Sequence, residues 1–152
     1  MIIGTLSHGV IAAYWDNIGD AEMNVKSISN VPDPVYCVKQ LPNNQIFVGG
    51  TSAKVFNYTI DKQTFTLDID FNLAGTIQGA VNCYGADLLS SNVLAIANSE
   101  SVDSVILTTS YEEPDTEEII TEFVGDITGT IFAITAEAIA ANGDTYIRAT
   151  PS

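Results

Sequence analysis

The chain has 152 residues, of which 46% are apolar and 16% are charged, and its formal net charge is −14. This composition is too apolar for a disordered chain, and the length fits one domain, residues 1–152, that can bury about 70% of its unfolded surface. The five Lys and Arg residues are too scattered to bind nucleic acid or an anionic membrane, and no apolar run reaches the ~20 residues that span a bilayer.

The N-terminal segment MIIGTLSHGV has neither the basic region nor the cleavage site that is typical of a signal peptide. We therefore expect a soluble protein of the cytoplasm or of a virion. The first long apolar element, GVIAAYWDN at positions 9–17, ends in an aromatic pair, Tyr14 and Trp15. Protein interfaces favour these residue types, so both are candidate partner-binding residues. At strand spacing, however, aromatic side chains more often belong to the core, and Trp15 is then expected to pack between neighbouring sheets.

Four segments rich in β-branched and aromatic residues follow, and each is typical of a strand: VYCVKQL, NQIFVGG, AKVFNYTI and TFTLDIDF. The last alternates strictly, which predicts a strand with one solvated face. Its apolar face holds Phe65, Leu67, Ile69 and Phe71, and its polar face holds Thr66, Asp68 and Asp70. The segments PNN at 42–44 and SSN at 90–92 predict tight turns.

Two further segments lie toward the C-terminus. The acidic stretch YEEPDTEEII at 111–120 contains Pro114 and predicts an exposed loop that leads into a strand. The Ala-rich segment TAEAIAANGD at 135–144 has the propensity for one or two helical turns.

One pattern recurs along the chain: an apolar strand, a polar turn, and a second apolar strand that ends in small residues. Three copies begin at Val35, Ala80 and Ile131, and their turns align at positions 44, 92 and 143, with spacings of 48 and 51 residues. Periods of roughly 40–50 residues with four strands per unit are typical of propeller blades. We assign units to roughly 1–30, 31–76 and 77–125, with a partial unit at 126–152.

Trp15-Asp16 adds a second sign of this architecture. The chain resembles a WD-repeat β-propeller, in which the third strand of a blade often ends in Trp-Asp. Later units hold Ile60-Asp61 and Tyr111-Glu112 near that place, and the family's Gly-His dipeptide is missing. The resemblance implies four-stranded antiparallel blades, about three in this chain. Because a ring needs about 4–8 blades, it also implies completion by self-association. The alternative all-β architectures are a β-sandwich and a small barrel.

Residues that could carry catalysis are sparse. His8 is the sole histidine, and its place between two strands is typical of a turn residue. The chain has no Gly-x-Ser-x-Gly motif for a nucleophile. Asp68 and Asp70 share a solvated strand face, and the acids of 112–118 lack the spacing of a calcium loop. We therefore expect no enzyme, no cofactor and no metal site.

Cys37 and Cys83 lie 46 residues apart among apolar neighbours, without the Cys-x-x-Cys spacing of a zinc site. Their positions leave a disulfide open and favour two buried free thiols.

These features together predict a non-enzymatic β scaffold that mediates protein–protein interaction and is completed by self-association into a homo-oligomer. The acidity disfavours direct contact with nucleic acid and makes a basic protein surface an easier partner, although its first role is to keep a hydrophobic chain soluble. The alternative is a virion structural protein such as a capsid decoration subunit, because such proteins are also acidic, small and built of short Thr-, Ala- and Gly-rich strands.

Overall fold

The computed structural model describes residues 2–7, 9–15, 19, 21–28, 31, 34–63, 66–139 and 145–151. These residues form twelve β-strands and no helix, so the prediction of an all-β chain is confirmed. In this described part of the chain, no helix is long and apolar enough to cross a membrane.

The strands form three antiparallel sheets that follow one another along the chain, and none is closed into a barrel. Sheet 1 contains β1 (Ile2–Gly4), β2 (Val10–Tyr14) and β3 (Asn24–Ile28). Sheet 2 contains β4 (Val35–Leu41), β5 (Gln45–Gly50), β6 (Ser52–Gln63) and β7 (Thr66–Val81). Sheet 3 contains β8 (Gly85–Leu88), β9 (Val93–Ala97), β10 (Ser101–Glu112), β11 (Ile119–Ile139) and β12 (Thr145–Pro151). Within each sheet, strands that are consecutive in sequence are hydrogen-bonded neighbours.

The C-terminal strands belong to sheet 3. β11 pairs with β10 on one side and with β12 on the other, so residues 126–151, which the repeat pattern assigns to a partial unit, extend this sheet to five strands. The helical turns expected over 135–144 are wrong for residues 135–139, which lie in β11. Pairing with β12 satisfies their backbone groups and overrides the helical propensity of alanine. Residues 140–144 lie outside the described part of the chain.

Sheet 2 lies between the other two sheets, and its strand β5 is buried on both faces. Ile46 and Val48 of β5 join one core with Val10 of sheet 1, whereas Phe47 joins a second core with Leu94 of sheet 3. This division follows from the alternation of side chains along a strand. It also explains why IFVGG is an unbroken run of apolar and small residues, since a strand covered on both faces needs no polar side.

The first strands of the three sheets lie side by side, because β1 contacts β4 and β4 contacts β8. The Val35 amide donates a hydrogen bond to the Thr5 carbonyl at 3.0 Å, which joins β4 to the end of β1. Toward the other edge of the stack, β7 contacts β11. There the Phe123 ring occupies the space above Gly75, where an added Cβ would lie 2.1 Å from ring carbons. We call the edge formed by β1, β4 and β8 the inner edge.

The tight turn expected at 42–44 is confirmed. It connects β4 to β5 through Asn43 and Asn44, whose φ angles are 59° and 56°. Asn enters this left-handed region more readily than most residues that carry a side chain, so the turn chemistry of the sequence matches the backbone. The acidic segment 113–118 likewise forms the exposed turn between β10 and β11.

Candidate interaction surface

Sheet 1 packs one face on sheet 2 and exposes apolar side chains on the other. Val10 points into the shared core, so alternation directs Ile11, Ala13 and Trp15 to the opposite face. Val25 lies opposite Ala13 in the register of β2 and β3 and therefore belongs to the same face. We call this surface the Trp15 face; it consists of Ile3, Ile11, Ala13, Trp15 and Val25, none of which is charged. Val25 is 59% exposed and Trp15 is 52% exposed, whereas Ile3 and Ile11 are half-buried and Ala13 is buried.

With 52% of its surface exposed, Trp15 is not buried between the sheets of a single chain. Trp15 follows the last residue of β2, and we place it on the face that turns away from sheet 2 by continuing the alternation of β2. Tyr14 ends β2 opposite Asn24, and its side chain lies outside the described part of the structure, as does Asp16. A partner-binding role for Tyr14 and Trp15 stays a prediction.

Sheet 3 also has a face that turns away from sheet 2. Leu94 and Val105 point into the core with sheet 2, so alternation places their neighbours on the outer side. Three cross-strand pairs form the centre of this surface: Val102 with Ala97, Ser104 with Ala95, and Ile106 with Val93. We call these six half-buried residues the Ala95 face. None is charged, although Asp87 and Asp126 lie opposite Ala95 and Ile106 at its two margins.

The sequence held a signal for the Ala95 face. In VLAIA at 93–97, both alternating sets of residues are apolar, which is typical of a strand that needs cover on two sides. The aromatic residues Tyr14 and Trp15 are a stronger sequence signal for an interface, because aromatic residues mark interfaces more strongly than small aliphatic ones do.

The inner edge carries an aromatic pair that joins sheets 2 and 3. The rings of Tyr36 in β4 and Tyr84 before β8 stack, with centroids 4.9 Å apart. Beside them, Lys39 Nζ lies 2.6 Å from Asp87 Oδ1. The Lys39 ammonium, which donates this bond, and the Leu88 amide lower the pKa of the Asp87 carboxyl. Because exposed ion pairs contribute little to stability, we expect the stacked rings to stabilise the contact between sheets 2 and 3 more than this pair does.

Asp103 is a buried carboxylate whose hydrogen bonds indicate a structural role. Its Oδ2 accepts bonds from Asn98 Nδ2 and Ser101 Oγ, each at 2.6 Å, and its Oδ1 accepts one from Thr130 Oγ1 at 2.8 Å. These contacts hold the turn between β9 and β10 against β11. A cleft of about 400 Å³ opens beside the network. The Asn98 Oδ1 atom is buried and has no protein hydrogen-bond partner.

The remaining chemical candidates do not assemble into a site. His8 and the Asp68 side chain lie outside the described residues. Asp70 pairs with Lys26 at 2.9 Å. Among the residues that the structure describes, no group of three or more His, Cys, Asp and Glu side chains could hold a metal ion.

Both cysteines are free thiols, with Cys83 buried and Cys37 half-buried. Cys37 Sγ donates a weak hydrogen bond to the Cys83 carbonyl at 3.7 Å. The side chains meet above Gly49, where an added Cβ would lie 2.6 Å from Cys37 Sγ and 3.1 Å from Cys83 Cβ. Burial, with smaller effects from Cys37 and Asp103, raises the pKa of Cys83 to about 12. A thiol with so high a pKa is a poor nucleophile at neutral pH.

Comparison with protein-family models, curated proteins and solved structures finds no match to the chain.

Proposed function

We propose that the chain is a non-enzymatic β scaffold that mediates protein–protein interaction and associates with further copies of itself. The observation that carries this proposal is the Trp15 face, an uncharged apolar sheet surface on which Trp15 and Val25 are more than half exposed. Exposed apolar surfaces of this kind mark interaction sites in soluble proteins, and tryptophan is enriched among the residues that dominate binding energy.

The contrast with sheet 2 supports this proposal. Residues 46–50 of β5 are all buried, because sheets 1 and 3 cover its two faces. Among the strands that the structure describes, those of sheets 1 and 3 pack on sheet 2 and not on each other. Their outer faces nevertheless hold mostly apolar residues, with Ser27 and Ser104 as uncharged exceptions, whereas a sheet with one solvated face normally alternates between apolar and polar residues.

The propeller interpretation belongs to the same proposal. Successive antiparallel meanders, stacked face to face with their first strands at one edge, are what the resemblance to WD-repeat blades implies. Three sheets are fewer than the roughly four to eight blades of a ring, so a ring built this way requires additional copies. The acidic net charge favours basic surfaces on any other protein partner.

Sedimentation velocity across the micromolar range tests the proposal. We expect a reversible oligomer, and we expect Trp15→Ala to weaken it while the secondary structure, followed by circular dichroism, stays unchanged. Tyr111→Ala is the matched control, because Tyr111 is an exposed aromatic residue on the distant β10–β11 hairpin. A wild-type chain that stays monomeric throughout this range would contradict self-association. A compact trimer that binds assembled shells would instead favour the virion alternative.

A further inference from the structure

We propose that self-association is head to tail: the Trp15 face of one copy packs against the Ala95 face of the next copy. This inference rests on the proposed function, because it names the two surfaces through which the scaffold associates. The occupant of each open face is therefore a second copy of this chain, and the stack of sheets continues from sheet 3 of one copy into sheet 1 of another.

The sizes of the side chains on the two faces favour this pairing. The Trp15 face projects large side chains, and Trp15 and Val25 stand 52% and 59% exposed. The side chains at the centre of the Ala95 face are short, since Ala95 and Ala97 are paired with Ser104 and Val102. Apolar contacts stabilise an interface only when atoms fill the space between the surfaces. Large side chains against small ones satisfy this condition better than two copies of the same face would.

Charge favours the same pairing. The Trp15 face has no charged residue, whereas Asp87 and Asp126 lie at the margins of the Ala95 face. Packing two Ala95 faces together would bring the Asp126 carboxylates of both copies into one interface, and like charges in proximity oppose association, whereas Asp87 is paired with Lys39. Packing the Ala95 face on the Trp15 face leaves these carboxylates at the margin, where water solvates them.

The interfaces inside the chain provide a precedent. Sheet 2 already accepts a sheet on each face, and in both contacts the first strands adjoin, β1 with β4 and β4 with β8. A second copy whose sheet 1 covers the Ala95 face would place its β1 beside β8 and continue the inner edge. Each copy would then use two different surfaces, which is a heterologous contact that forms a closed ring or an open filament.

The dimensions of sheet 1 predict weak, reversible binding. One strand of three residues and two of five have a footprint of roughly 200 Å² at the usual strand spacings, and stable specific interfaces bury at least about 1,000 Å² in total. In a closed ring each copy makes two such contacts, and together they would stabilise the assembly although each contact is small. We therefore expect assembly to depend steeply on protein concentration.

Complementation between two variants tests the pairing. Val25→Lys places a charge on the Trp15 face, and Ala95→Lys places one on the Ala95 face. We expect each variant alone to associate at least about tenfold more weakly than wild type, because an ammonium buried in the contact would have no partner. An equimolar mixture should form a one-to-one heterodimer, since one intact face of each kind remains. Thr109→Lys is the control, because it adds the same charge at an exposed position of β10 outside both faces.

The outcomes separate this inference from the proposed function. A heterodimer in the mixture, by sedimentation velocity with one variant fluorescently labelled, supports head-to-tail packing. If Ala95→Lys associates as well as wild type while Val25→Lys does not, two Trp15 faces pair and the inference is overturned, although self-association stands. The reverse result indicates pairing of two Ala95 faces. If both variants associate as the wild type does, the contact lies elsewhere. If wild type is monomeric, the proposed function itself fails.

Discussion

Two large aromatic residues, Trp15 and Phe47, differ sharply in how deeply the chain buries them. Trp15 is 52% exposed, whereas Phe47 is completely buried in the core between sheets 2 and 3. Truncation of a buried large aromatic residue costs about 3–5 kcal/mol, and the cost decreases with the contact that is lost. The same kind of substitution therefore has different consequences at the two positions.

We expect Trp15→Ala to lower the free energy of unfolding by about 1–2 kcal/mol, roughly half of the usual cost for a buried tryptophan. Phe47→Ala should lower it by about 3–5 kcal/mol. Urea denaturation of both variants, at a concentration where the wild type is monomeric, provides the measurement. Equal losses for the two variants would show that Trp15 is part of the core.

The buried thiol of Cys83 makes the free energy of unfolding depend on pH in the alkaline range. Its pKa in the folded chain is raised to about 12 from the ordinary value of 9.0, chiefly by burial. Between these two values the unfolded chain releases this proton and the folded chain keeps it, so ionisation stabilises the unfolded state. We expect the contribution of this thiol to be constant below pH 9 and to become destabilising as the pH rises from 9 toward 12.

Urea unfolding from pH 8 to pH 11 measures this effect. The free energy of unfolding should fall less steeply with pH in Cys83→Ala than in wild type, whatever the cavity costs at neutral pH. Equal slopes would contradict the effect that we assign to burial of the thiol.

Among the elements, the β4–β5 hairpin depends on residues that accept positive φ angles. Asn43 and Asn44 adopt φ of 59° and 56°, and a β-branched residue is strongly disfavoured there. We expect Asn44→Val to cost about 1–2 kcal/mol of stability, whereas Asn44→Gly should cost little. Denaturant midpoints with unchanged m-values would measure the difference. Equal stability of the two variants would indicate that the turn is not left-handed.

The junction of β9, β10 and β11 depends on Asp103. Replacing this residue with alanine leaves the donors of Asn98, Ser101 and Thr130 without their acceptor. We expect Asp103→Ala to cost about 2–3 kcal/mol, since hydrogen bonds to a charged group are among the stronger ones. Asp126→Ala removes the same charge from an exposed position and should cost less than about 0.5 kcal/mol. Thermal denaturation compares the two, and similar losses would contradict the structural role of Asp103.

For the whole molecule, the net charge of −14 opposes association of identical chains. Salt screens this repulsion, with a Debye length of about 10 Å at 0.1 M and about 3 Å at 1 M. Because the two proposed contact faces are uncharged, we expect self-association to strengthen as sodium chloride increases. Sedimentation equilibrium at several salt concentrations measures the trend. Weakening by salt would mean that ion pairs hold the contact.

The sequence was enough to predict the all-β fold class, but it could not predict which face of each sheet packs against its neighbour. Strand-forming residues and alternation predicted the β structure, and PNN predicted a turn whose φ angles only a few residue types accept. The segment GVIAAYW is apolar on both alternating sides, so its pattern could not decide which side sheet 2 covers. Only packing shows that Val10 is inside and Trp15 outside. The sequence also could not predict that β12 pairs with β11, because strand propensity does not specify a strand's partner.

The meander order of the sheets has a consequence for synthesis on the ribosome. Each strand pairs with a neighbour that has just been translated, so backbone pairing within a sheet closes only short loops at small entropic cost. Sheet 1 emerges first, but its three short strands have no core until β5 and β6 of sheet 2 arrive. We therefore expect sheet 2 to be the first unit that resists proteolysis in nascent chains of increasing length. Until sheet 3 follows, Phe47 and its neighbours on β6 stay exposed, and the growing chain depends on prompt translation of residues 85–151 to avoid aggregation.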